Sequence, residues 1–296
     1  MEYIEFLEAV EAGLRVKLGE KIKIDAHELL KNNVRREVMV IQVDQERATP
    51  CIPLESLYAM HQLGKSLEEI IDKVVAIVQN NPNLTECDID KIREWDYAKE
   101  LVEARIINTK NNREFLSDVP HREFLDCSVV YYVNISDWEL GDCHASMKVT
   151  NQHLAIWGIT LDQLDDCARR NYTERKITFQ SMNEVMMELM GAEIGKEEIR
   201  EVPDNLMYVL SNAERQYGAV VMMDKEMLQF VCKKLDDTFY LIPSSVHELI
   251  IIPKKIAMEE KDLKEMVVSV NETLEEEDVL SDSIYYYDGE KVSVVA

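Results

Sequence analysis

The sequence predicts an α+β fold with largely antiparallel sheets built from hairpins and flanked by helices. Three observations carry this reading. Apolar residues recur at helical spacing in several long stretches, and short β-branched or aromatic runs sit between turn signals. Those runs come in neighbouring pairs instead of alternating singly with helices. Hydrophobic residues make up 46% of the 296, enough to bury a sizeable core, and 9 glycines with 7 prolines leave little chain for long linkers.

The first helix is expected over Tyr3–Val16, where Ile4, Leu7, Val10 and Leu14 share a face and glutamates occupy the rest. Residues 21–43 then hold two extended stretches around Asn32-Asn33. Asparagine tolerates left-handed backbone angles, so this is a hairpin signal. Val38–Val43 is almost wholly apolar, as in a strand covered on both faces. Residues 53–64 read as a helix stopped by Gly64. Ser66 and Glu69 have capping-box spacing and open another helix, with Leu67, Ile70, Ile71, Val74, Val75 and Val78 as its stripe.

Residues 80–100 are polar and rich in turn signals, with room for a short helix over Thr85–Trp95. They mark the expected junction between two packed lobes, 1–100 and 101–296. One integrated domain is the alternative. In the second lobe, 101–108 and 127–135 read as strands, joined by a turn-rich connection over 109–124. Residues 141–150 look extended. Thr160 with Gln163 and Ser181 with Glu184 are further capping pairs. Residues 175–180, 206–212 and 216–223 read as strands, and 192–206 as an acidic loop. The stretch 224–236 reads as a helix with Met227, Phe230, Val231 and Leu235 inward. Strands are expected at 238–243 and 248–253, a helix over 260–274, and a final hairpin at Asp288-Gly289.

Composition narrows the function classes. No apolar run approaches the roughly 20 residues that cross a bilayer. The opening stretch carries glutamates where a signal peptide carries Lys or Arg, so a cytoplasmic location is expected. The six cysteines include no CxxC pair and read as free thiols. The net charge is −24, from 57 acidic and 33 basic residues. Such a surface repels nucleic acids and anionic membranes; it keeps the chain soluble, and it can also attract basic proteins or mimic a nucleic acid. Arg35-Arg36, Arg169-Arg170 and Lys233-Lys234 are isolated pairs, not a stripe that tracks phosphates. There is no glycine-rich phosphate loop.

Two groups of residues are candidates for chemistry. Ser245, His247 and Glu248 follow Pro243-Ser244, and 245 and 247 fall on one face of an extended chain. A hydroxyl beside an imidazole is what nucleophilic catalysis requires. No Gly-x-Ser-x-Gly elbow surrounds the serine, and a turn whose hydroxyls satisfy free backbone groups is the competing explanation. Asp118, His121, Asp126 and Cys127 form the second group, and His121 with Cys143, His144 and His153 from further along the chain is a candidate metal set. The spacing matches no HExxH or paired CxxC site. The methionine groups fall at core spacing. The acidic segment 274–282 reads as a solvated helix end. Tyr285, Tyr286 and Tyr287 place at least one aromatic ring toward solvent, where a partner can meet it. The Asn151-Gln152-His153 stretch and the Pro-Ser-Ser turn are further surface candidates.

Three stretches, 104–133, 147–171 and 207–253, resemble an uncharacterised bacterial domain-of-unknown-function family, number 5688, and the likeness runs through nearly the whole chain. The resemblance implies one integrated fold and carries no established activity, cofactor or catalytic residue. The leading expectation is therefore a non-enzymatic acidic module that binds a basic protein, with no metal or cofactor. The alternatives are a hydrolase-type enzyme using Ser245 and His247, a metal-dependent one using His121, and an acidic mimic of nucleic acid.

Overall fold

The computed structural model describes residues 1–43, 51–79, 90–135, 146–173, 175–190 and 206–295. The fold is α+β, and its three sheets are antiparallel throughout the described pairings. The chain divides into two compact units, one carrying the described residues up to Ala98 and the other those from Lys99. No helix among the described residues is long and apolar enough to cross a membrane.

In the first unit, helix α1 (Tyr3–Leu18) precedes a three-stranded sheet of β1 (Lys23–Leu30), β2 (Arg35–Gln42) and β3 (Cys51–Pro53) in that order. Asn33 takes φ +59° at the β1–β2 turn, as the sequence predicts. Helices α2 (Leu54–Gln62) and α3 (Leu67–Gln79) follow. The Ser66–Glu69 capping box is closed: the Glu69 N–H donates to Ser66 Oγ at 3.2 Å, and the Ser66 N–H to Glu69 Oε2 at 2.8 Å. Val10 and Leu14 of the expected stripe are buried, but Phe6 takes the inward place in the first turns and Ile4 is 71% exposed. Phe6 fits there because its ring packs against Tyr58 and His61 of α2, at 5.3 and 5.2 Å between centroids.

In the second unit, strand β6 (Cys127–Asn134) pairs with β4 (Val102–Asn108) along one side. Along the other it meets β5 (His121–Phe124) at its start and β7 (Ser146–Lys148) at its end. The connection over 109–124 is thus more regular than its turn residues suggest. It holds β5 and helix α4 (Arg113–Asp118), whose Phe115 and Leu116 are buried. Helices α5 (Asn151–Trp157) and α6 (Leu161–Thr173) come next, and α6 packs against β4. The third sheet has the order β13-β12-β10-β11-β9-β8. Its strands are β8 (Ile177–Ser181), which helix α7 (Met182–Met190) follows, β9 (Tyr208–Asn212), β10 (Phe239–Pro243), β11 (Leu249–Pro253), β12 (Tyr285–Tyr287) and β13 (Val292–Val294).

Strand β10 is buried at every position because both faces of this sheet are covered. Phe239 and Leu241 join a core with Leu228 and Val231 of helix α8 (Lys225–Leu235). Tyr240 and Ile242 join another with Leu263 and Val267 of helix α9 (Glu260–Asn271). The same alternation in β12 buries Tyr285 and Tyr287 and leaves only Tyr286 of the three partly exposed.

Two further expectations change. Residues 216–223 do not extend as a strand. Tyr217 is left-handed at φ +52° and opens a 3-10 helix, Gly218–Met223. In α8, Leu228 rather than Phe230 faces inward, and Phe230 is 52% exposed. Leu228, Val231 and Leu235 keep the three- and four-residue spacing of one helical face, which leaves Phe230 outside it.

Candidate functional site

The β10–β11 loop, Pro243–Glu248, brings polar groups of three segments together. The Val246 N–H donates to the Asp278 carbonyl at 2.8 Å, and the Val246 carbonyl accepts from the Ala219 N–H at 3.2 Å. Ser211 Oγ donates to the His247 carbonyl at 2.7 Å. The loop is held to β9, to the 3-10 helix and to the 276–278 turn through its own backbone.

Ser245 and His247 are near each other but do not form a nucleophile–base pair. Ser245 Oγ accepts the His247 backbone N–H at 3.0 Å, a local turn bond. The His247 imidazole is engaged elsewhere. Its Nδ1 accepts the Tyr217 N–H at 3.1 Å, and its Nε2 lies 3.1 Å from Asp278 Oδ1. Because Nδ1 is an acceptor here, the neutral ring carries its hydrogen on Nε2 and donates it to Asp278. Glu248 bonds back to Ser244 Oγ at 3.3 Å.

His121 is in a different sheet, on β5 opposite Val130, and its Nδ1 pairs with the Val119 carbonyl at 3.0 Å. His153 accepts the Thr150 N–H on Nδ1 at 2.9 Å and stacks on Trp157. Burial lowers its pKa against the opposing pull of Asp118. Cys143 and His144 lie outside the described residues. Among the described residues, no three His, Cys, Asp or Glu side chains converge as metal ligands.

Asp126 and Cys127 belong to a buried polar network. Asp126 Oδ2 accepts from Ser281 Oγ, and Oδ1 from the Tyr285 hydroxyl, both at 2.7 Å. Burial alone would raise the Asp126 carboxyl. The hydroxyls of Ser281, Tyr285 and Ser283 outweigh it and hold the group below the ordinary carboxylate range. Burial pushes the Cys127 thiol up to about 12. A thiol in that state is not a nucleophile at neutral pH.

The sequence reading missed a second set, which adjoins the first through Tyr217. Glu103 and Arg105 stand two apart on β4, both buried, and form an ion pair. Glu103 also accepts from Arg175 Nη2 at 2.8 Å. Burial opposes the charge on Glu103, but Arg105 and Arg175 overcome it and lower its pKa. The Arg105 guanidinium lies between two rings, 3.9 Å from the centroid of Tyr132 and 3.6 Å from that of Tyr217. The face of Tyr217 thus covers Arg105, its backbone N–H binds His247, and its ring tilts against the imidazole at 5.1 Å.

Beside this array is a small recess lined by Glu103, Tyr172, Arg175, Asn212, Tyr217 and Val220, with room for about one water molecule. The buried Tyr172 hydroxyl has no hydrogen-bond partner among the described residues, and burial raises its pKa. A single water there would satisfy it. The one sequence signal for this set was a Glu and an Arg two apart on one face of an otherwise apolar strand. Buried charges of that kind are paired.

The array as a whole fixes a turn, shields an ion pair and anchors three chain segments. Every hydroxyl and ring nitrogen of Ser245 and His247 is directed at the protein's own groups. In comparisons with known proteins, the family of unknown function DUF5688 matches residues 3–289. No curated protein and no solved structure matches the chain.

Proposed function

The chain belongs to the DUF5688 family of unknown function, whose model matches residues 3–289, and from the use of its candidate catalytic groups and from its charge we propose that it acts in the cytoplasm as a non-catalytic module that docks a basic protein. The observation that carries this reading is the use made of the candidate catalytic groups. Ser245 Oγ, His247 Nδ1 and His121 Nδ1 each bind a backbone group of the chain itself. A general base must instead reach the proton it removes.

Charge supplies the chemistry of the partner. A net charge of −24 steers a cationic surface toward the protein and repels phosphate backbones. Steering of this kind weakens as the screening length falls from about 10 Å at 0.1 M salt to about 3 Å at 1 M.

Affinity capture with the full chain, from the cells that make it, tests the reading. The expected result is enrichment of one basic protein at about 0.1 M salt and its loss near 1 M, reproduced with the two purified proteins. Turnover of an ester, amide or phosphoester panel that Ser245→Ala or His121→Ala abolishes would overturn it.

A further inference from the structure

We propose that His247 is a pH-sensitive clasp: protonation at Nδ1 turns the acceptor that holds Tyr217 into a donor, so mild acidification releases Tyr217 and uncovers Arg105.

The geometry fixes the roles. Nδ1 accepts the Tyr217 N–H, and Nε2–H faces Asp278 Oδ1. In an imidazolium both ring nitrogens are donors. The contact with Asp278 survives that change and becomes an ion pair. The contact with Tyr217 becomes two N–H groups facing each other, with no lone pair between them. The imidazole side chain is 29% exposed, so water can deliver the proton. Imidazole is the side chain whose charge ordinarily changes between about pH 5 and 8.

The charged groups near the ring are Asp278, from the 276–278 turn, and Arg105, on β4 behind the Tyr217 ring; Glu248, next in the loop, accepts from Ser244 Oγ. What gives way is local. The loop stays tethered by Val246 to Ala219 and Asp278, and by Ser211 to the His247 carbonyl, and none of these bonds titrates.

Tyr217 is the poised element. A non-glycine residue at φ +52° is strained and persists only where its surroundings hold it. The Nδ1 bond is the hydrogen bond that holds its backbone N–H. Once that bond is lost, the residue can relax toward ordinary backbone angles. Its ring, which covers Arg105 and walls the recess, moves with it.

Nitrogen NMR on the full-length chain tests the clasp. Near pH 8 the His247 ring is expected as the Nε2–H tautomer. Between about pH 8 and about pH 5 the protection factor of the Tyr217 amide is expected to fall by on the order of tenfold, while amides in β10 keep theirs. His247→Asn places a non-titrating oxygen where Nδ1 stood, and in it Tyr217 protection should stay level. An Nδ1–H tautomer at pH 8, a Tyr217 amide indifferent to pH in the wild type, or an equal fall in the Asn variant would each overturn the proposal. The wild-type tautomer and amide readings decide the matter even if the variant does not fold.

Discussion

The Arg105 guanidinium sits 3.6 Å from the centroid of the Tyr217 ring, although 112 positions separate the two residues in the sequence. On its other face Arg105 meets Tyr132, and at its end it pairs with buried Glu103. A desolvated cation–π contact contributes about 2 kcal/mol. This one also spares a buried charge from facing an empty space.

Removing Arg105 should therefore cost more than removing its neighbour. Arg105→Ala leaves the Glu103 carboxylate buried beside a gap between two rings, and a loss of about 3–5 kcal/mol is expected. Arg175 pairs with the same carboxylate but is 30% exposed, and Arg175→Ala should cost about 1 kcal/mol. Urea unfolding of the two variants gives the comparison, and equal losses would contradict the assignment.

Gly218 is placed by close approach. A Cβ there would lie 2.2 Å from Ser211 Oγ, 2.7 Å from the His247 carbonyl oxygen and 2.8 Å from the Asn212 nitrogen. Two of those three atoms are backbone and cannot swing away. Gly218→Ala should lose about 1–3 kcal/mol in the same unfolding measurement.

Asp126 should make stability depend on acid. Its folded-state pKa is depressed, so its contribution is fully present above the unfolded carboxylate pKa and disappears as pH falls through the folded value. The stability lead of the wild type over Asp126→Asn should be largest near neutrality and shrink from about pH 5 downward. Chemical melts at several pH values would show it, and a lead that grows in acid would rule out the charged network.

Thiol reactivity should separate the cysteines by burial. Cys51 is exposed, whereas Cys127 and Cys167 are buried and the Cys127 thiol is raised to about 12. Alkylation of the native protein near pH 8, followed by peptide mass mapping, should modify Cys51 and spare Cys127 until denaturant is added.

The inward face of α8 can be tested with two substitutions. Leu228→Ala should cost about 2–5 kcal/mol, since the side chain is 1% exposed. Phe230→Ser, at a position 52% exposed, should stay within about 0.5 kcal/mol of wild type. Reversed magnitudes would restore the face drawn from sequence alone.

What the sequence determined by itself was local. The Ser66–Glu69, Thr160–Gln163 and Ser181–Glu184 caps close within three residues. The turns at Asn33 and Gly289 need only left-handed backbone angles, and the strand pairs around them follow. The α+β class was legible because each of these signals spans a few residues of chain. Tertiary structure decided the rest. Whether Phe6 or Ile4, and Leu228 or Phe230, faced inward depended on which surface each helix met. Within 216–223, Gly218–Met223 became a 3-10 helix because Tyr217 and Gly218 had to fit against Ser211, Arg105 and His247. The joining of Asp126 to Tyr285, and of Glu103 to Arg175, needs 159 and 72 residues of intervening chain to fold back. Periodicity and turn chemistry act over one or two turns of backbone. Contacts between distant residues exist only once burial has closed the sheets around them.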